Sequence, residues 1–324
     1  MRARHITLAL AATTALLLAA CGGGGDELEA GEDGLTPLTV MQIPTMDAGP
    51  LHLGVEEGFF EEEGLDVEVR IAEAGSAIVP SVVNKESPIG YANAVSDLQA
   101  IDQGLDVKFV ANCCAVGADP EADTSRIFVL PDSAITDVAG LAGANIAVNS
   151  VNNLGDLTIK VALENNGVDT SAIEFTPMNY SDMPAALERG DVDAIWSVEP
   201  HRAISESRGF TPLISNFVES FPDTTIGYYI TSGAFAEANP EIVASFQRAM
   251  DRANEFATEN PDRVRETIVE NLQIDAELVD ETNLHVFAPG LDEESVKVIA
   301  AAAVEHGMIS EEPNYEEIFI RPGE

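Results

Sequence analysis

Apolar positions recur along the chain with two different periods. Leu38–Ile43 reads as a strand, and Leu51–Glu62 as a helix that stops at Gly64. Leu65–Ile71 places apolar residues at every second position, as a half-buried strand does. Ser76–Asn84 follows as a helix with Ser76 as its N-cap, then Ile89–Ala92 (strand), Val95–Gln103 (helix) and Val107–Ala111 (strand). Arg126–Leu130 is a strand with no helix directly before it, which marks a connection between two units. The second unit runs Asn145–Val148 (strand), Leu154–Asn165 (helix), Ile173–Thr176 (strand), Met183–Arg189 (helix) and Val192–Trp196 (strand), and Ile226–Thr231 returns as a strand toward the first unit.

From Pro240 the period is helical. Ile242, Val243, Phe246, Met250, Ala253 and Phe256 mark one face, and helices are expected at Arg263–Leu272, Ala276–Leu284 and Glu293–His306. Strands separated by helices imply right-handed crossovers, so each unit is an α/β layer with a mostly parallel sheet.

Composition narrows the class. The chain has 324 residues, 45% of them apolar and 22% charged, which fits two folded domains. Its 16 Lys and Arg face 56 Asp and Glu, a formal charge of −40. No basic face is available to displace counterions from a phosphate backbone, which excludes a general nucleic-acid partner.

The amino terminus sets the compartment. Arg2, Arg4 and His5 precede an apolar run from Ile6 to Leu18, too short for a permanent membrane span, and small residues lead to Cys21. Residues 1–20 therefore read as a signal peptide. Leu18-Ala19-Ala20-Cys21 resembles a bacterial lipobox, which implies lipid on Cys21 and a Gly-rich linker to residue 36. The expected location is the cell surface or periplasm, on the outer face of the cytoplasmic membrane. Cys113 and Cys114 remain; neighbours in sequence form a strained disulfide, so they read as small lining residues near a strand end, with a redox or metal role as the alternative.

Ligands of open parallel sheets sit beyond the carboxyl ends of the strands. That rule selects loops holding Thr45, Asp47, Ser76, Asn93, Asn149, Asn152, Tyr180, Trp196 and Glu199, together with Tyr228 on the returning strand. Each has a plain competitor. The Asn and Ser residues fit helix caps, Asp47 and Glu199 fit either a ligand amine or solvent, and Trp196 and the tyrosines fit either a stacking wall or the core. The chain has no Gly-x-Ser-x-Gly, Cys-x-x-Cys or His-Glu-x-x-His pattern, and no catalytic residue, metal or cofactor is expected.

Three stretches carry a resemblance. Leu53–Val67, with its Gly58-Phe59-Phe60 and Gly64-Leu65-Asp66-Val67, Ile135–Val148, and Met183–Ala194 with Gly190-Asp191-Val192-Asp193-Ala194 are similar to segments of the nitrate/sulfonate/taurine and thiamine-pyrimidine-precursor binding lipoproteins of ABC importers. The resemblance implies a two-lobed periplasmic-binding-protein-like (type II) fold with two crossover hinges, near Arg126–Val129 and Ile226–Ile230. Lobe I would hold 37–127 and 228–324, and lobe II 128–227. It further implies a monomer that captures a small polar solute of the sulfonate, nitrate or pyrimidine type and partners a permease and an ATPase. A pyrimidine-synthase-like enzyme of the same fold and a surface sensor lipoprotein stand as alternatives. Acidic Asp47 and Glu199 with aromatic Trp196 and Tyr180 favour a neutral or amine-bearing solute such as an aminopyrimidine.

Overall fold

The structure, a computed structural model, describes residues 27–72, 75–272 and 275–321, with backbone alone at 75 and 76. The expectations for residues 1–20, for Cys21 and for the Ser76 side chain lie outside the described residues.

Ten strands form two five-stranded sheets: β1 (Thr36–Gln42), β2 (Leu65–Ile71), β3 (Ile89–Asn93), β4 (Val107–Ala115), β5 (Ser125–Val129), β6 (Asn145–Val148), β7 (Glu174–Pro177), β8 (Ala194–Val198), β9 (Thr211–Ile214) and β10 (Thr225–Ser232). The first sheet has the order β2-β1-β3-β10-β4 and the second β7-β6-β8-β5-β9. In the first, β1 pairs parallel with β2 and β3, and β10 runs antiparallel between β3 and β4. The second repeats this plan, with β6 parallel to β7 and β8, and β5 antiparallel between β8 and β9. One strand in each sheet is therefore reversed, and it is the strand that arrives from the other sheet.

The chain crosses between the sheets through residues 116–124 and 215–224, before β5 and before β10. Arg126–Val129 and Ile226–Ile230, near which hinges are expected, lie in the strands that directly follow the two crossings, β5 and β10. The two crossing segments are tied together. Val116 N donates to Thr224 O at 2.9 Å, and Ser215 Oγ to Pro120 O at 2.8 Å. The Asp123 carboxylate accepts from Ser125 N and Val218 N, both at 3.0 Å.

Burial follows layer position. β8 and β10 are buried along their whole length, because helices cover both faces of a central strand. β4 lies at an edge yet is nearly all buried, and the chain closes that edge itself. Asn112 N donates to Gly290 O, Ala115 N to Val286 O and Ile320 N to Phe109 O. This cover extends β4 to Ala115, so Cys113 and Cys114 are strand residues rather than loop residues.

The helix expected over 51–62 is broken into Gly49–Glu56 and Phe59–Glu62, where Gly58 takes a positive φ of 78°. The helix expected at 276–284 stops at Val279. The long helix Pro240–Glu259 buries Val243, Phe246, Met250 and Ala253. Part of the expected free linker is docked: Leu28 packs on the core, and its N–H donates to Asn239 Oδ1 at 2.8 Å.

Candidate functional site

The carboxyl ends of β1, β3, β6 and β8 converge on a cavity of about 40 Å³ between the sheets, room for roughly three waters at about 10–15 Å³ each. Thr45 and Asp47 reach it from the turn after β1, Tyr91 and Asn93 from β3, and Asn149, Asn153 and Leu154 from the loop and helix after β6. Tyr180, Trp196 and Phe217 form an aromatic wall, with the Trp196 ring 5.7 Å from Tyr180 and 6.0 Å from Phe217. His285 closes the side next to β4.

A larger cavity of about 520 Å³ adjoins the first and shares Ile43, Thr45, Asn149 and Tyr180 with it. Its remaining walls mix apolar Pro44, Ile204, Leu272 and Leu278 with Asn179 and His201. Tyr180 and His201 stack there at 5.3 Å and 17°. Burial drives His201 down to about 4, so its ring is neutral at physiological pH.

The cavity is anchored by a buried ion pair. His285 Nε2 lies 2.8 Å from Asp47 Oδ1. The second oxygen, Oδ2, accepts from Thr45 Oγ1 at 2.9 Å and from the Tyr91 hydroxyl at 3.0 Å. His285 Nδ1 faces Ala115 O and Thr124 Oγ1, each at 3.3 Å. Burial alone would lower the imidazole, but the Asp47 carboxylate overrides it and holds His285 up to about 10. Burial likewise pushes the Asp47 carboxyl up, and the imidazolium outweighs it and brings it below its ordinary value. The two charges cancel, so no net charge is presented by this pair.

Two helix caps join the sheets across the cavity. Asn93 Oδ1 caps Ala94–Asp102 by accepting from Ser96 N at 3.1 Å, while its Nδ2 donates to Asn153 Oδ1 at 2.9 Å. Asn153 caps Leu154–Asn165 and donates from Nδ2 to Ser96 Oγ at 2.9 Å. Capping and lining, posed as competitors for Asn93, are both its roles.

Thr45, Asp47, Asn93, Asn149, Tyr180 and Trp196 thus meet at one place, as the strand-end rule expects. Three expected residues do not line it. Glu199 spends both oxygens on Arg202 Nε at 2.6 Å, Ala203 N at 3.2 Å and Asn283 N at 2.9 Å. Tyr228 is fully buried, with its hydroxyl donated to Asp292 O at 2.9 Å and Thr225 O at 3.2 Å. Asn152 is exposed in a turn with φ 54°, and its carbonyl accepts from Gln99 Nε2 at 2.8 Å.

Tyr91, Phe217 and His285 line the cavity without a sequence signal, and Asn153 lies in the strand-end loop that begins at Asn149. Asn153 alone had a local signal, standing directly before the helix at Leu154 as an N-cap does.

Asp156 supports the cavity loop from below. It is 3% exposed, and its Oδ2 accepts from the Asn152 N–H. Burial pushes its carboxyl up to about 6, against the Asn152 and Lys160 contributions that favour the charge. This folded value lies above the unfolded one of about 3.9. The folded chain therefore holds more protons in that window, and stability falls as pH rises from about 4 to about 6. Asp156→Asn is expected to remove this slope, on the order of 2–3 kcal/mol at about 1.4 kcal/mol per unit. Urea unfolding of both proteins across that range checks it, and a wild-type-minus-variant difference that is flat with pH counts against the assignment.

Comparison with known proteins adds the lineage. The sequence model of a family described as NMT1/THI5 like matches residues 45–264. The taurine-binding periplasmic protein of Escherichia coli is 22% identical over 63% of this chain and 61% of its own length, so the chain spans less than two thirds of that relative. The formylaminopyrimidine-binding protein of Halalkalibacterium halodurans is 21% identical over 77% of this chain and 72% of its own. A relative from Aspergillus parasiticus named 4-amino-5-hydroxymethyl-2-methylpyrimidine phosphate synthase is 24% identical over 65% and 63%. Among solved structures, the periplasmic aliphatic sulphonate binding protein SsuA of Escherichia coli superimposes with a TM-score of 0.72 at 15% identity, covering 89% of this chain and 93% of that one. The two-lobed α/β periplasmic-binding-protein fold expected from the sequence is the one observed.

Proposed function

The chain belongs to the NMT1/THI5-like family, and from that premise we propose that it is the solute-binding lipoprotein of an ABC importer rather than an enzyme. Lipid on Cys21 would hold it to the outer face of the cytoplasmic membrane. As a monomer it would deliver its solute to a permease driven by an ATPase. The two lobes, one built on each sheet with residues 116–124 and 215–224 between them, would close by bending at those crossing segments, and a bound solute would raise the closed population.

The observation that carries the reading is the interlobe cavity itself, with hydrogen-bonding groups and an aromatic wall converging from both sheets. Its charged lining groups, Asp47 and His285, neutralise each other, which suits a neutral solute better than a simple anion. A flat ring matches the Tyr180–Trp196–Phe217 wall, with its polar edge in the inner cavity and its remainder toward the outer one.

A thermal-shift screen of the purified chain tests this, because a ligand that binds only the folded state raises the melting temperature. Aminopyrimidines, formylaminopyrimidine among them, are expected to give a larger rise than taurine, aliphatic sulfonates or nitrate. A melting temperature unmoved by every class would overturn the reading, and a sulfonate giving the largest rise would overturn its solute class.

A further inference from the structure

We propose that Asp47, Cys114 and His285 form a binding site for a borderline-soft divalent cation of the Zn²⁺ class, with one coordination position open to the cavity. All three side chains are buried, and one ligand atom from each lies within 4.8 Å of the others. An oxygen, a thiolate sulfur and an imidazole nitrogen together select Zn²⁺ or Co²⁺ over Ca²⁺ and Mg²⁺, which take oxygen donors.

The atoms that would not touch the cation are already held by other partners. His285 Nδ1 faces Ala115 O at 3.3 Å, which leaves Nε2 turned inward. Asp47 Oδ2 accepts from the Thr45 and Tyr91 hydroxyls at 2.9 and 3.0 Å, which leaves Oδ1 turned to Nε2. Outer partners of this kind fix the orientation of metal ligands. Gly227 leaves Cys114 its place, since a Cβ there would stand 2.7 Å from Sγ and 2.6 Å from the Tyr91 ring. Tetrahedral bonds of about 2.0–2.3 Å set ligand atoms roughly 3.3–3.7 Å apart, so the 2.8 Å between Oδ1 and Nε2 opens by about half an ångström on binding.

The charge balance favours exchange. Without the cation, carboxylate, imidazolium and neutral thiol sum to zero. The cation forms bonds to Oδ1, Nε2 and Sγ, and the Nε2 proton of His285 and the thiol proton of Cys114 leave to solvent. Two positive charges replace two, so the buried site stays neutral and ligation adds no net charge to it. Asp47 and His285 line the cavity and Cys114 does not, so the fourth position faces the solute. That last clause rests on the solute-binding reading; cation binding does not.

The full chain, stripped with a chelator, is titrated with Co²⁺ alone in excess Mg²⁺, which occupies exposed carboxylates. One equivalent is expected to produce a thiolate-to-cobalt charge-transfer band that Zn²⁺ abolishes, that Cys113→Ala retains and that Cys114→Ala loses. A wild-type chain without the band, or a Cys114→Ala chain with it, overturns the site. If Cys114→Ala does not fold, Zn²⁺ protection of Cys114 from alkylation, read by mass spectrometry, decides the same question, and an unprotected Cys114 overturns the site. These readouts contain no solute, so they stand or fall separately from the solute screen.

Discussion

Trp196→Ala is expected to lower the free energy of unfolding by about 3–5 kcal/mol, the usual loss when a buried Trp is cut to Ala. If Trp196 were only a stacking wall, the change would cost affinity and leave folding intact. Its position argues otherwise. Trp196 lies on a strand with no exposed residue and is itself 3% exposed. Its Nε1 donates to Ser125 Oγ at 2.7 Å, linking β8 to β5. The ring is pressed on Gly155 so closely that a Cβ there would stand 2.7 Å from it. Ala would leave a void between the sheet and the helix Leu154–Asn165, and that helix carries the Asn153 cap which bridges the cavity. Affinity and stability should fall together. Trp196→Phe keeps an aromatic face and loses the indole donor, so it separates wall from anchor. Urea unfolding reads the first variant, and a loss below about 1 kcal/mol would remove Trp196 from the core and return it to the wall alone.

The fold was legible where local period and burial agree. Leu65–Ile71 alternates because one face of an edge strand meets solvent, and β2 has the range its alternation predicts. β9 went unread because Thr211–Ile214 is four residues long and largely exposed, so it carries no period. The end of β4 was unreadable for another reason. Asn112–Ala115 stays in a strand because residues 286–290 close its edge, a contact that sequence proximity does not signal.

The site divides in the same way. Thr45, Asp47, Asn93 and Asn149 follow strand ends, where the topology puts every ligand loop. His285 lies in the distant segment that covers β4, and it meets Asp47 because the first sheet brings β4 near the turn after β1, a proximity that no local pattern signals. Glu199 shows the limit of the strand-end rule. It stands at the end of β8, but the Arg202 guanidinium three residues on and the Asn283 N–H claim its oxygens.

The ion pair gives the second large effect. Asp47→Ala would leave the buried His285 ring without the carboxylate that holds its proton, so the ring must stay charged at a cost or give the proton up, and breaking a buried pair from one side costs about 3–5 kcal/mol. It would also leave the Thr45 and Tyr91 hydroxyls without their shared acceptor. His285→Gln alone should be costly in the same way, since it leaves a buried carboxylate with only those two hydroxyl donors. The double variant Asp47→Ala/His285→Gln removes both charges together and is expected to be markedly more stable than the sum of the single losses predicts. For a close, mutually dependent pair the coupling energy should be on the order of 1–3 kcal/mol. Solute affinity should be lost in all three variants, because the pair sets the shape of the inner cavity and, in the single variants, its neutrality as well. Urea unfolding of the four proteins measures the coupling. A value indistinguishable from zero would mean that the two groups do not share a charge in the folded chain, and the neutral-cavity argument for the solute class would go with it.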